Sequence, residues 1–414
     1  MQMQRLGTGS PPAAVLRGLR QRAQRLGVPP PAALTGDWFG SAAVLVPSVS
    51  VLPCAADAAF AQDRCARATF EQREPGAVGG GWIGYLSYPD GTGVLPQAAG
   101  GWTDCVLRLD RQGDWWFESL SGAPCPAELA QTVRHGGVVA PWHLDWTAPD
   151  AEQHRHAVRA CLAAITEGEV YQACVCTRFT GTLDGDPAQL FASGVEADNP
   201  ARAAYLAGPW GAVVSFSPEL FLARHARTVL SSPIKGTLPI DRDPAVLRAS
   251  AKDVAENVMI VDLVRNDLGR VCLPGSITVP ELLATHRAPA VWHLVSTVRG
   301  TLRDGITDAR LLDATFPPAS VTGTPKQRAR ELLRGWETTD RGVYCGALGM
   351  VSPLAGLELN VAIRTVELGP HGLASLGVGG GITIDSDPEA EWLESLAKAA
   401  AVTRLQDRAA STAS

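Results

Sequence analysis

Strand-like and helix-like segments follow one another along this chain without a regular βαβ rhythm, and that irregular mixture constrains the fold most. A regular alternation would demand a parallel sheet with crossover helices, so its absence favours α+β with antiparallel sheet. Val15 to Leu26 carries Leu at helical spacing and is ended by Pro29-Pro30-Pro31. Residues 37–120 read as short strands and turns, among them 44–46, 79–88, 105–109 and 114–117, where the aromatics are expected in the core. Residues 121–148 read as a less patterned linker, a soft boundary between 1–148 and 149–405 within one unit. Beyond it, helices are expected at 152–167, 187–195, from Pro244 to about Asn266, at 308–316, 327–334 and from Pro388 to about Leu405. Strands are expected at 170–179, 203–206, 213–216, 220–223, 345–351, 357–366 and 373–377. Val291 to Gly300 reads as strand or helix, and 406–414 as a frayed tail.

The chain is long enough for a sizeable core, with 46% hydrophobic residues in 414. A net charge of −6 leaves no basic footprint for nucleic acid. Nine cysteines without a C-x-x-C pair fit free thiols in a reducing cytoplasm. No signal peptide is read at the N-terminus, and the apolar run at 41–61 is too broken by Pro47, Pro53 and Asp57 to span a membrane.

Candidate chemistry centres on Ser231 to Thr237. Gly236 permits close backbone approach. Lys235, between Ile234 and Gly236, has two readings, an exposed strand-end lysine or an amine held in an apolar setting and able to act as nucleophile. Asp253 and Glu256 share one helix face, as do Glu391, Glu394 and Lys398. Such acids are either a solvated, salt-bridged surface or a seat for Mg²⁺ that holds an anionic substrate. Gly377 to Gly381 is a structural turn or a carboxylate cradle. Arg364 and Tyr344 are candidates for the same anion. His293 is a core histidine or a site residue, and Glu219 a turn residue or a proton donor. No nucleophile elbow is present, so glutamine hydrolysis is not supported in this chain.

The segments GGWIGYLSYP (80–89), EGEVYQ (167–172), SFSPELFL (215–222), PIKGTLP (233–239), AENVMIVDLVRNDLGRV (255–271), VWHLVSTVRGTL (291–302), SVTGTPKQRARELL (320–333), YCGALG (344–349), IRTV (363–366) and GVGGGITIDSDPEAEWLESLAKA (377–399) resemble the chorismate-utilising enzyme family, in family order. The resemblance implies two packed antiparallel β-sheets with helices outside. Lys235 in PIKGT resembles the branch that converts chorismate and ammonia to 4-amino-4-deoxychorismate, whereas anthranilate-forming members usually carry Ala there. Gln172 stands where isochorismate- and salicylate-forming members carry a water-activating Lys.

By this resemblance, Glu256 and Glu394 ligate Mg²⁺, with Asp253 and Glu391 supporting. Gly236, Thr237, Ser320, Thr322, Tyr344, Arg364, Gly379, Gly380 and Gly381 hold chorismate, with Lys398 near a carboxylate. Glu219 is the general acid, Lys235 the nucleophile, and His293 lines the pocket. Ammonia is expected from a separate glutamine amidotransferase subunit. Cys174 and Ala319 depart from the usual Asn and Gly, and no tryptophan-binding signature is evident near 37–52. Anthranilate formation, and a non-catalytic chorismate- or glutaminase-binding relative, are the alternatives.

Overall fold

The computed structural model describes residues 1–61, 76–91, 93–289 and 291–405, so the expected tail lies outside the described residues. Within them the strands form two antiparallel sheets. The first runs Gln2–Gly7, Trp115–Ser119, Cys105–Leu109, Ser41–Val46, Ala32–Trp38, Arg202–Gly208, Gly211–Ser217, Thr365–Leu368, Leu373–Ile382, Gln172–Asp184, Gly323–Thr324, with His143–Thr147 also on Gln172–Asp184. The second runs Ile234–Pro239, Val291–Thr301, Thr228–Ser232, Leu220–His225, Gly356–Val361, Ala347–Ser352, Gly81–Leu86, Ala98–Thr103, Leu52–Pro53, with Thr278–Arg287 also on Val291–Thr301.

Residues from the N-terminal third enter both sheets. Ala33 to Gly36 pair with Arg202 to Tyr205 in the first, and Trp82 to Leu86 with Ala347 to Val351 in the second. The sheets share a core in which Leu34 and Val44 meet Ile83, Tyr85, Leu348 and Met350. Burial of these side chains, about 25 cal/mol for each Å² of apolar surface, is what holds the layers together. Trp115 and Phe117 are core residues, as expected, whereas Trp116 between them is only partly buried and its indole donates to Asp110 at 2.7 Å.

Helix starts follow local capping chemistry. Asp150 accepts from the Glu152 and Gln153 amides, and Asp186 and Asp387 do the same ahead of Pro187 and Pro388. The helix expected from Pro244 to Asn266 is two helices, Ala245–Ala249 and Ala251–Gly269. Ser250 separates them because its hydroxyl caps the second by accepting from the Asp253 amide at 3.2 Å. The 121–148 stretch is not merely a linker: it holds the helix Ala127–His135, whose apolar face is only Leu129 and Val133, and the strand His143–Thr147. Val291–Thr301 is a strand.

Two further differences bear on the site. The 357–366 stretch is not one strand. Gly356–Val361 belongs to the second sheet and Thr365–Leu368 to the first, and the chain crosses between them through Arg364, whose φ is 50°. The glycines at 377–381 do not form a turn. They continue the strand Leu373–Ile382, paired residue for residue with Cys174 to Arg178.

Candidate active site

Between the sheets, closed by the helices Ala251–Gly269 and Pro388–Thr403, lies a cavity of about 1170 Å³. Lys235 enters it from Ile234–Pro239, where the pairing with Val291–Thr301 shifts register between Lys235 and Thr237. The shift falls at Gly236, whose φ of 76° suits glycine and whose added Cβ would meet the Asp253 carboxyl at 3.1 Å. The Lys235 side chain is 11% exposed; its ammonium donates to the Ser320 carbonyl at 3.0 Å and stands 3.8 Å from Glu256 Oε2. Of the two readings of Lys235, the exposed strand-end lysine is ruled out.

Glu219, between Gly211–Ser217 and Leu220–His225, is 3% exposed. Burial pushes its carboxyl up to about 7, against the opposing pull of the Ser320 side chain and Lys235. A carboxyl with that value holds a proton near neutral pH and can deliver it. His293 Nδ1 shares a hydrogen bond of 3.0 Å with Thr237 Oγ1. Burial and the nearby Arg364 charge push the imidazole down to about 4, so it is neutral at pH 7.

The acidic helices interlock with three lysines. Lys398 pairs with Glu394 at 2.8 Å and donates to the Gly379 carbonyl at 3.0 Å. Lys252 pairs with Glu391 at 2.7 Å, and Ser386 donates to the same Glu391 oxygen at 2.6 Å. Burial raises Glu256 despite Lys235 and Lys252, whereas at Glu394 the effect of burial is outweighed by Lys398 and the carboxyl is held low. Asp253, Glu256 and Glu394 line the cavity. Among the described residues no three His, Cys, Asp or Glu side chains stand close enough to hold a metal by themselves. These carboxylates are nevertheless oxygen donors of the kind that could hold Mg²⁺, which takes one or two carboxylates and completes its shell from water and substrate oxygens.

The glycine strand supplies clearance. A Cβ on Gly377 would lie 2.2 Å from the Tyr344 ring. One on Gly381 would lie 2.2 Å from Gln172 Nε2 and 3.3 Å from Glu256 Oε2, so both side chains border that position. One on Gly380 would lie 3.1 Å from Glu391 Oε2. Gln172 is buried and its Oε1 has no partner among the described residues. Tyr344 is buried, and Cys176 Sγ reaches its hydroxyl at 3.8 Å. The Arg364 guanidinium, lowered by burial, faces the cavity with no ion pair within 4 Å among the described residues.

Lys235, Glu219, His293, Gly236, Thr237, Ser320, Tyr344, Arg364, Gly379 to Gly381 and Lys398 all line this one cavity. Thr322 does not: it is fully buried, and its hydroxyl donates to the Pro318 carbonyl at 2.9 Å, which makes it a brace of its own loop. Glu391 stands behind the wall, held by Lys252 and Ser386. Lys252 escaped the sequence reading, although it sits four residues before Glu256, a spacing that places the two on one helix face.

A family model described as chorismate binding enzyme matches residues 47–404. The chain is 38% identical over 326 residues to aminodeoxychorismate synthase component 1 of Escherichia coli (strain K12), covering 74% of this chain and 69% of that one. It is 36% identical over 319 residues to anthranilate synthase component 1 of Streptomyces coelicolor, covering 74% and 61%. The menaquinone-specific isochorismate synthase of Escherichia coli superposes with a TM-score of 0.74 at 19% identity, covering 98% of this chain and 94% of that structure, a likeness of fold.

Proposed function

The chain belongs to the chorismate-binding enzyme family, and from that premise we propose that it converts chorismate and ammonia to 4-amino-4-deoxychorismate, the precursor of 4-aminobenzoate on the folate route. The observation that carries this reading is the Lys235 amine, held by the Ser320 carbonyl in the same cavity that Glu219 lines.

In its free-base form the Lys235 amine attacks C2 of the ring, the double bond shifts, and the C4–O bond breaks as Glu219 gives its proton to the departing hydroxyl, which leaves as water. Ammonia then forms the C4–N bond, the double bond returns, and the electrons of the Lys235–C2 bond go back to the lysine nitrogen. The proton on the new amine resets Glu219 or leaves with the product. Arg364, a guanidinium on the cavity wall with no ion pair within 4 Å among the described residues, pairs with a substrate carboxylate. His293, neutral and held by Thr237, offers a hydrogen bond near the leaving group. Glu256 and Glu394 would hold Mg²⁺, which supplies charge neutralisation for a substrate carboxylate. Ammonia comes from a separate glutamine amidotransferase, in keeping with the "component 1" in the relatives' names.

Anthranilate formation is the second reading, favoured by the 36% identity to an anthranilate synthase component. The purified chain, incubated with chorismate, Mg²⁺ and an ammonium salt, separates the two. The proposal expects a product that a lyase converts to 4-aminobenzoate. Anthranilate fluorescence as the main signal would replace it with the second reading.

A further inference from the structure

The segment from Thr315 to Thr322 is unusual in where its carbonyls point. Lys326 donates to Thr315 O at 3.0 Å and Pro317 O at 2.9 Å, Lys235 to Ser320 O at 3.0 Å, and Arg341 to Val321 O at 2.7 Å. Between these, the Thr322 hydroxyl takes Pro318 O and the Thr322 amide takes Ala319 O at 3.3 Å. Three cations thus converge on the carbonyl edge of one short loop, and one of the three is the cavity lysine.

The other two cations are each anchored by a carboxylate. Lys326 is fixed by Asp267 at 2.6 Å. Arg341 is 2% exposed, pairs with Glu337 at 2.6 Å, donates to Cys174 O at 2.6 Å and lies over the Tyr88 ring at 4.5 Å. Arg341 therefore ties the Ser320 loop to the strand that carries Gln172. Buried cations are costly unless each donor finds an acceptor. Here the loop carbonyls supply acceptors, so loop and cations are set together. Ser320 sits midway, with its carbonyl on the Lys235 amine and its side chain beside the Glu219 carboxyl, whose ionised form it favours.

We propose that Lys326 and Arg341 are positioning residues, which hold the Ser320 loop so that one residue sets the distance between the Lys235 nitrogen and the Glu219 oxygen. Neither touches substrate. Their effect passes through Ser320: its carbonyl fixes one N–H of Lys235 and so aims the nitrogen lone pair, and its hydroxyl orients the carboxyl that must protonate the leaving group. This inference rests on the proposed roles of Lys235 and Glu219, so its test needs a readout that does not require turnover.

Three variants of the full chain are compared, Lys326→Met, Arg341→Lys and Ser320→Ala, by thermal melting, by steady-state kinetics, and by the rate at which an amine-reactive reagent labels Lys235, read by peptide mass spectrometry. In folded Lys326→Met, kcat falls about 100-fold with the chorismate KM within a few-fold, as a misplacement of about 1 Å predicts, and Lys235 is labelled faster. Arg341→Lys, which keeps the charge and loses the fork, shows a smaller loss in the same direction. Ser320→Ala keeps the carbonyl contact, so its labelling rate matches the unaltered chain while the pH limb assigned to Glu219 moves upward. Wild-type kcat and labelling in folded Lys326→Met and Arg341→Lys, with only the melting temperature reduced, overturn the proposal. If Lys326→Met does not fold, Arg341→Lys decides by the same two readouts. If the unaltered chain makes no amino product, the reaction reading fails while the labelling rates still report on the clamp.

Discussion

Lys235 Nζ stands 3.8 Å from the Glu256 carboxylate, and both side chains are about nine-tenths buried. The cavity therefore joins the proposed nucleophile to the proposed metal carboxylate. Replacing Lys235 with Ala leaves Glu256 with less positive charge nearby, so its carboxyl rises further. The expected outcome for Lys235→Ala is loss of 4-amino-4-deoxychorismate formation by at least about 1000-fold, the scale on which covalent steps depend on their nucleophile, with folding retained by circular dichroism.

Glu219 and His293 impose opposite pH slopes on stability. Glu219 has its carboxyl raised from 4.5 to about 7 in the fold, so the folded state binds more protons between those values and stability falls as pH rises through them. His293 is lowered from 6.5 to about 4, so the unfolded state binds more protons there and stability falls as pH drops through that window. Each shift corresponds to about 3 kcal/mol. Relative to the unaltered chain, Glu219→Gln gains stability as pH rises from 4.5 to above 7. His293→Gln gains it as pH falls from 6.5 to 4. Urea unfolding across pH measures both differences, and activity of the unaltered chain declines above about pH 7 as the Glu219 proton is lost.

The glycine strand predicts a graded series. Gly377→Ala collides with the Tyr344 ring at 2.2 Å and displaces it, whereas Gly380→Ala meets Glu391 Oε2 at 3.1 Å, a contact that a small shift relieves. Overpacking of this kind costs about 1–3 kcal/mol. The chorismate KM, or its dissociation constant by calorimetry, should rise far more in Gly377→Ala than in Gly380→Ala.

Burial lowers the Arg364 guanidinium against the opposing charge of Asp198, and Arg364 forms no ion pair within 4 Å among the described residues. A desolvated charge that is only partly compensated destabilises the free protein. Arg364→Met is therefore expected to raise the melting temperature, a gain of about 1 kcal/mol, while weakening chorismate binding about 100-fold, the loss typical of a charge-assisted pair. A melting temperature that falls together with affinity would assign Arg364 a structural role.

What was legible in the sequence, and what was not, follows from the reach of each signal. The α+β class was readable from the irregular order of helix and strand patterns; Lys235, Glu219, Glu256 and Glu394 stood out by residue type and spacing with two readings each, and their proposed roles came only with the family resemblance. Arg364 was read at a strand end because Leu357, Leu359, Val361 and Ile363 alternate without a break, and alternation does not record that the chain leaves one sheet and joins the other. The glycines at 377–381 were read as a turn or cradle because glycine weakens strands, yet the need to clear Tyr344 and Gln172 prevails. Thr322 was assigned to substrate by the family resemblance, whereas its hydroxyl serves its own loop. Lys326 and Arg341 stood in plain view, but only the fold shows that both reach the Ser320 segment.

The central claim is the covalent role of Lys235, and the most direct measurement is intact and peptide mass spectrometry of the chain after rapid quenching with chorismate and Mg²⁺ in the absence of ammonia. The account predicts a mass increase equal to chorismate less one water, located on the peptide that contains Lys235, discharged as 4-amino-4-deoxychorismate when ammonium is added. Formation of that product at full rate with no adduct, and undiminished in Lys235→Ala, would contradict it.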